Sequence, residues 1–413
     1  SAASDVYKRQ ISPFTPMPKF MFTATTNKAA QVLSNMVNAP ASTIHQVLGL
    51  SVYNDYKTGK PKLVKKNDPK DLTDAILIVD ESSMVNMDLL KYIKRGREKA
   101  QSCKILYVGD SYQLPPVGEN VCPIFRKTET IATLTDIVRQ AKGSPIIGFS
   151  HEYRKILDNP ELPWPKIPHD GKVIFHHQDL KSFKSAVLAA YQQDHEPDDL
   201  RVITWTNPRV RNYNDWLRTR LGYQMPYQIG ETMICNNVII KDERVRARTD
   251  SLHKVVNFDP VTKEGIDGHL LTMEAYDGGD YIKVFQPTDW AAADRLIDAK
   301  AEAAKAAPGP GQYRNDLWKE FWEIKNGWAD FRPVHSQTVH KAQGSTYKKV
   351  FIDVADIAKN NKWYEVARLM YVAITRASHE VHLFGNLKER YTRTDPLAKL
   401  RKFQNAEKKP TFT

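Results

Sequence analysis

The sequence predicts an α/β protein with two parallel-sheet regions, the second interrupted by a small all-β insertion and a helical hairpin. Three observations support this. Short apolar runs of strand length at 75–79, 104–108, 202–205 and 349–354 alternate with segments of helical period, as in parallel sheets covered by helices. The first run, Ala75-Ile76-Leu77-Ile78-Val79, closes on two adjacent carboxylates, Asp80 and Glu81. Residues 225–287 switch to short alternating strands with Gly-Asp, Asp-Gly and Gly-Gly turns, the pattern of a small β-barrel.

Open α/β sheets bind ligands at the carboxyl ends of their strands. A buried strand closing on Asp-Glu suits a nucleotide hydrolase, in which the Asp holds Mg²⁺ and the Glu polarises the attacking water. A strand ending in a solvated acidic turn accounts equally for the two residues taken alone.

Composition bounds the partners. Lys+Arg exceed Asp+Glu by 60 to 48, a net charge of +12, which fits a polyanionic partner or a merely soluble basic surface. No apolar run approaches the ~20 residues of a membrane-spanning helix, so a cytoplasmic protein with no membrane partner is expected. Cys103, Cys122 and Cys235 match no zinc or disulfide spacing and point to a reducing compartment. Residues 1–10 show neither helical nor strand period. They read as a non-native tail, the in-frame translation of a sequencing adapter, with natural sequence from Ile11 and further protein expected upstream.

In chain order, 19–25 is a short strand and 27–37 a helix with Ala30, Leu33, Met36 and Val37 on one face. Thr25 and Thr26 lie in the turn between them, placed to cap the helix or to bind phosphate. Ser42-Thr43-Ile44-His45 opens another short helix. The lysine-rich stretch 50–66 reads as a hairpin, whose Tyr53 and Tyr56 either stack on bases or decorate a solubilised surface. Helix 86–99 joins the Asp80-Glu81 strand to a second strand ending in Gly109-Asp110-Ser111-Tyr112-Gln113-Leu114-Pro115-Pro116, a βαβ unit with both ends at one edge. Helix 144–157 and a proline-rich connector at 158–170 follow, the connector a plausible domain boundary. Strand 173–175, helix 179–193, strand 202–205 and helix 210–221 continue the α/β pattern, with Asn207 at a strand end. After the barrel come an Ala-rich helix, a Pro-Gly-Pro-Gly turn and an aromatic helix, together an αα-hairpin. Thr338-Val339-His340-Lys341-Ala342-Gln343-Gly344-Ser345-Thr346 and Tyr371-Val372-Ala373-Ile374-Thr375-Arg376-Ala377 flank the last α/β elements.

Four motifs in this order, at 79–84, 109–117, 338–346 and 371–377, make the chain resemble the superfamily-one DNA helicases of the Dda and RecD type. The resemblance spans nearly everything after residue 19. It implies two RecA-like parallel-sheet core domains with an inserted β-hairpin pin, a small β-barrel and a projecting helical hairpin. The expected domains are a non-native tail (1–10), a first core domain (11–157, with the pin at 50–70), the start of the second core domain (158–224), the barrel (225–287), the helical hairpin (288–332), the end of the second core domain (333–390) and a basic tail (391–413).

The resemblance further implies ATP as substrate, with Mg²⁺ held by Asp80 and Glu81 as catalytic base. Gln113 couples the γ-phosphate to movement, Arg139 and Arg376 reach that phosphate, and Gln343 and Gly344 link nucleotide to DNA. Thr25, Thr26, Thr43, His45, Asn207, Thr338 and His340 fall where the family grips single-stranded DNA, and Tyr53 and Tyr56 sit on the strand-separating pin. The implied activity is 5′-to-3′ translocation on single-stranded DNA with unwinding of forked duplex. The implied state is a monomer in a bacterial host cytoplasm, with a single-stranded-DNA-binding protein or replisome component as further partners. One family element is missing: no G-x-x-x-x-G-K followed by Ser or Thr occurs in the 413 residues. A fragment without that loop is expected to be inactive. A catalytically dead nucleic-acid clamp and an RNA helicase are the alternatives.

Overall fold

The computed structural model describes residues 18–55, 60–65, 68–116, 118–119, 121–127, 130–134, 143–241, 244–309, 311–388 and 391. They divide into two compact units. One joins the chain up to Gly109 to Gly222–Val334, and the other joins Asp110–Leu221 to the chain from His335.

The first unit contains a four-stranded parallel sheet in the order Ala41–Thr43, Lys19–Ala24, Ala75–Asp80, Lys104–Tyr107. Its inner strands are apolar on both faces, so Leu77 and Val79 are wholly buried while Phe22, Leu33 and Ile78 form a cluster on one side. Register sets Ala24 opposite both Thr43 and Asp80, which brings three strand ends to one edge. Helix Asn27–Val37 packs through Ala29, Ala30 and Leu33, and helix Met87–Lys99 through Leu89, Leu90 and Ile93, the spacing each sequence provides. Strands Leu50–Asp55 and Lys60–Lys65 pair antiparallel as the expected hairpin. The Tyr92 hydroxyl donates to the Leu63 carbonyl at 2.7 Å and ties that hairpin to helix Met87–Lys99.

The region expected as a barrel is a five-stranded antiparallel sheet, in the order Tyr281–Pro287, Ile266–Ala275, Leu252–Lys263, Thr232–Cys235, Phe331–Pro333. Its two edge strands are joined by one side chain. Gln286 accepts from the Phe331 amide at 2.6 Å and donates to the Phe331 carbonyl at 3.0 Å, imitating a peptide group. The Ala329 amide donates to the Phe285 carbonyl at 2.7 Å beside it. Residues 331–333 therefore belong to this sheet, although the sequence assigns 331 and 332 to the helical hairpin and 333 to the end of the second core domain. The hairpin itself comprises Trp290–Ala306 and Gln312–Gly327, whose Trp318, Phe321 and Trp322 are buried around Ala304. The longest hairpin, Leu252–Lys263 with Ile266–Ala275, turns on Glu264 and Gly265, both at positive φ, as a two-residue connection requires.

The second unit is built on a five-stranded parallel sheet in the order Ser336–Thr338, Leu200–Thr204, Tyr347–Asp353, Ala377–Phe384, Ile174–His177. Helix Trp363–Ile374 is buried along its length from Val366, apart from Arg368. Helix Pro145–Asp158 shares a core with it through Ile146, Phe149, Tyr153 and Ile156. This corrects the expected boundary. Leu114 and helix Pro145–Asp158 pack with the second sheet, and the chain divides at Gly109–Asp110 rather than in the 158–170 connector, because that helix finds its apolar partner there.

Candidate functional site

In the first unit the strand Ala75–Asp80 ends in a sharp turn. Glu81 adopts the left-handed conformation, φ 48° and ψ 40°, and its amide donates to Asp80 Oδ1 at 2.9 Å. A non-glycine residue there is strained, and such strain persists only where the surroundings enforce it. Two neighbours do so. Thr25 Oγ1 donates to the Glu81 carbonyl at 3.4 Å, and the Ser82 amide donates to the Val108 carbonyl at 2.9 Å. Gly109 lies so close that a Cβ there would stand 2.6 Å from Ser82 Oγ and 3.1 Å from the Ser82 and Ser83 amides. Burial pushes the Asp80 carboxyl above its ordinary pKa, opposed by the Glu81 amide. The turn thus buries a carboxylate whose desolvation the Glu81 amide offsets only in part.

In the second unit, Asp110 to Leu114 form a loop held by two helices, Trp363–Ile374 and Pro145–Asp158. Tyr371 donates its hydroxyl to Asp110 Oδ2 at 2.6 Å, and Asp110 Oδ1 accepts from the Tyr112 amide at 2.9 Å. Burial, with Asp110 beside it, pushes the Tyr371 phenol up and keeps it a donor. Arg368 Nη1 donates to the carbonyls of Ser111 at 2.6 Å and Gln113 at 2.7 Å. The Arg154 guanidinium stacks 4.2 Å above the Tyr112 ring, whose hydroxyl bonds Asp158. Gln113 Oε1 is buried with no hydrogen-bond partner among the described residues. Gln343 Nε2 reaches the Leu114 carbonyl at 3.5 Å, and Gly344 follows at φ +80°.

Arg376 is 1% exposed. It donates to the carbonyls of Val372 and Ser345, each at 3.0 Å, and to Thr375 Oγ1 at 3.1 Å. In this conformation the guanidinium serves its own backbone. Arg139 and Tyr56 lie outside the described residues. Tyr53 sits opposite Lys62 in the hairpin.

Several expected DNA-contacting hydroxyls have structural partners. Thr26, Thr43 and Thr338 each cap a helix, accepting from the amides of Ala29, Gln46 and Lys341. Thr43 completes a capping box with Gln46. His45 is half-buried and His340 lies nearer the surface, yet burial lowers the pKa of both rings, opposed at His340 by Glu365. Asn207 opens helix Asn207–Arg220, three residues earlier than the sequence predicts, with Pro208 in the first turn. Arg368 and Tyr371 are absent from the sequence-derived site. Their available signal is a lone cation inside the apolar run Val366-Ala367-Arg368-Leu369-Met370, one turn before a tyrosine.

A parallel sheet carrying this acidic turn on an inner strand is the architecture of the nucleoside-triphosphate hydrolases. Comparison with known proteins narrows the class. Residues 6–119 match the AAA domain family, and residues 333–384 match the UvrD-like helicase C-terminal domain family. The ATP-dependent DNA helicase dda of Enterobacteria phage T4 is 25% identical over 393 residues, covering 87% of this chain and 86% of that protein. The ATP-dependent RecD2 DNA helicase of Deinococcus radiodurans is 33% identical over 134 residues, 31% of this chain and 16% of that protein. Among solved structures, the Pif1 helicase from Candida albicans is 18% identical, with a TM-score of 0.40, over 94% of this chain and 88% of that one. Together these matches make the chain similar to the superfamily-one helicases of the Dda and RecD type.

Proposed function

We propose that the chain is an ATP-driven DNA helicase that moves 5′ to 3′ along single-stranded DNA and opens forked duplex. The observation that carries the reading is the Asp80–Glu81 turn, an under-compensated carboxylate followed by a strained glutamate at the ligand edge of a parallel sheet. The donor set fits Mg²⁺ bound with ATP. That hard cation usually keeps several waters and takes only one or two carboxylates besides phosphate oxygens. Asp80 supplies such an oxygen, and the described residues offer no cluster of three or more ligands suited to another metal. Asp80 would hold the ion there, and the chemistry supplied would be neutralisation of phosphate charge. Glu81 accepts the proton of the attacking water as its oxygen bonds the γ-phosphorus and ADP leaves. From the resemblance we carry over Gln113 as the residue that couples the γ-phosphate to movement, and Arg139 and Arg376 as the arginines that bring positive charge to the transferring group. Thr25, Thr26, Thr43, His45, Asn207, Thr338, His340 and the 50–66 hairpin with Tyr53 and Tyr56 form the DNA side.

Among the described residues no helix is long and apolar enough to cross a membrane. The 413 residues hold no phosphate-binding loop, so by themselves they are expected to turn ATP over slowly. The test compares this chain with one preceded by a strand and a G-x-x-x-x-G-K-Thr loop. The longer chain should hydrolyse ATP with strong stimulation by single-stranded DNA and open 5′-tailed but not 3′-tailed duplexes. Equal, DNA-stimulated turnover by both chains would overturn the expected weakness, and preference for a 3′ tail would overturn the polarity.

A further inference from the structure

The strands Leu200–Thr204 and Tyr347–Asp353 lie side by side and parallel, so both end at one edge of the second sheet. From that edge helix Asn207–Arg220 departs, with Asn207 exposed at its first position. Its N-cap residue, Thr206, does not cap it. The Thr206 hydroxyl instead lies 3.1 and 3.0 Å from the two oxygens of Asp356. The same carboxylate accepts the Trp205 amide at 3.0 Å and the Thr206 amide at 2.8 Å. Asp356 is 1% exposed, and among the described residues its cation is Lys359, at 2.7 Å.

One turn into the helix, a second buried carboxylate repeats the arrangement. Asp353 accepts from Arg209 Nε at 2.6 Å and from the Tyr213 hydroxyl at 2.9 Å, while its other oxygen takes the Asp356 amide at 3.0 Å. The two acids thus fix the helix start at two points to the neighbouring strand. An N-cap hydroxyl ordinarily steadies the first turn of its own helix. Here it is spent on the residue pair that immediately precedes Asn207. Buried carboxylates are costly unless fully bonded, and Asp356 gathers three donors from Trp205 and Thr206 alone.

We infer that Thr206 and Asp356 are positioning residues that hold the 205–206 main chain so that Asn207 meets a single-stranded DNA backbone in one orientation. The inference rests on the proposal that Asn207 contacts DNA. Neither positioning residue touches nucleic acid; each acts through Asn207. A residue held in this way loses less conformational freedom on binding, which strengthens the contact it makes.

The test uses binding of a fluorescein-labelled oligothymidylate of ~16 nucleotides, read by anisotropy and independent of ATP turnover. Thr206→Val keeps side-chain size and both amide donors but removes the hydroxyl. It should weaken binding about fivefold, and Thr206→Ser should restore it, the scale of one charge-assisted hydrogen bond acting indirectly. Asn207→Ala should weaken binding about tenfold, and the double variant no further, since coupled residues are non-additive. Asp356→Asn, which keeps one acceptor oxygen, should fall between wild type and Thr206→Val, and it serves if Thr206→Val does not fold. Additive losses in the double variant, or wild-type binding by both Thr206→Val and Asp356→Asn beside a weakened Asn207→Ala, would overturn the positioning role. Wild-type binding by Asn207→Ala would instead overturn the DNA contact beneath it.

Discussion

Arg376 Nη1 donates to the Ser345 carbonyl at 3.0 Å, tying the end of helix Trp363–Ile374 to the loop that begins with Gln343 and Gly344. With the Val372 carbonyl and the Thr375 hydroxyl, it gives a buried guanidinium three acceptors from its own unit. Removing it strands the Ser345 carbonyl, at about 1–3 kcal/mol, and takes from the Val372 carbonyl one of its two donors, the Thr375 hydroxyl remaining, at about 1 kcal/mol more. Arg376→Ala should therefore lower unfolding stability by roughly 2–4 kcal/mol, seen as an earlier urea midpoint. Arg376→Lys should recover little, because an ammonium cannot reproduce the planar fork. Wild-type midpoints for both variants would show that the anchor contributes nothing. ATPase loss in Arg376 variants is informative about phosphate contact only after this stability effect is subtracted.

Asp80 makes the opposite trade. Burial raises its pKa, so the folded state holds the proton more readily than the unfolded chain. Its contribution to stability is most favourable below the ordinary value of 3.8 and falls as pH rises through the raised folded value. At pH 7 the charged carboxylate is a net burden. Asp80→Asn should melt at a higher temperature than wild type without nucleotide, yet gain no stabilisation from Mg²⁺ with ADP. A lower melting temperature for the variant would remove the claim that this carboxylate is under-compensated.

Gly109 has little room for a side chain. Its Cβ would meet Ser82 Oγ at 2.6 Å and two amides of the same turn at 3.1 Å, and main-chain atoms cannot swing aside. Gly109→Ala should cost about 1–3 kcal/mol and displace the Asp80–Glu81 turn. Thermal melts and Mg²⁺-nucleotide binding should both suffer. A variant that melts and binds like wild type would mean that the turn can shift freely.

The parallel strands and the acidic turn were legible because five apolar residues before Asp80 admit few other structures. Helix Met87–Lys99 was equally plain, since Asn86 caps it and Leu89, Leu90 and Ile93 fall on one face. Less local features escaped. Strand Leu252–Lys263 contains Pro260 and a run of exposed residues, so its alternation fades beyond Phe258. The division at Gly109–Asp110 is invisible in composition, because it depends on helix Pro145–Asp158 choosing between two sheets. Arg368 and Tyr371 emerge as loop anchors only when the fold brings them to Ser111 and Asp110, more than 250 positions away in sequence. Helix capping by Thr26, Thr43 and Thr338 was half-legible: a threonine before a helix announces a cap, but spacing cannot say whether it also binds phosphate.

The His382 ring gives the second unit an acid-labile point. It stacks between Phe175, at 4.4 Å, and Phe351, at 4.6 Å, and its Nδ1 lies 3.1 Å from His177 Nε2. Burial, reinforced by His177 and opposed by Glu380, pushes its pKa down from 6.5 to about 4. The folded state therefore rejects a proton that the unfolded chain accepts. Stability from the neutral ring is complete above pH 6.5 and is lost as pH falls toward about 4, at up to ~1.4 kcal/mol per pH unit. Urea midpoints should drop between pH 7 and pH 5, and His382→Phe, which keeps the stack, should flatten that drop. His177 is shifted down by burial as well, so the variant should retain part of the slope. An undiminished slope in His382→Phe would place the acid sensitivity elsewhere, and a steeper one would mean that the ring is charged in the fold.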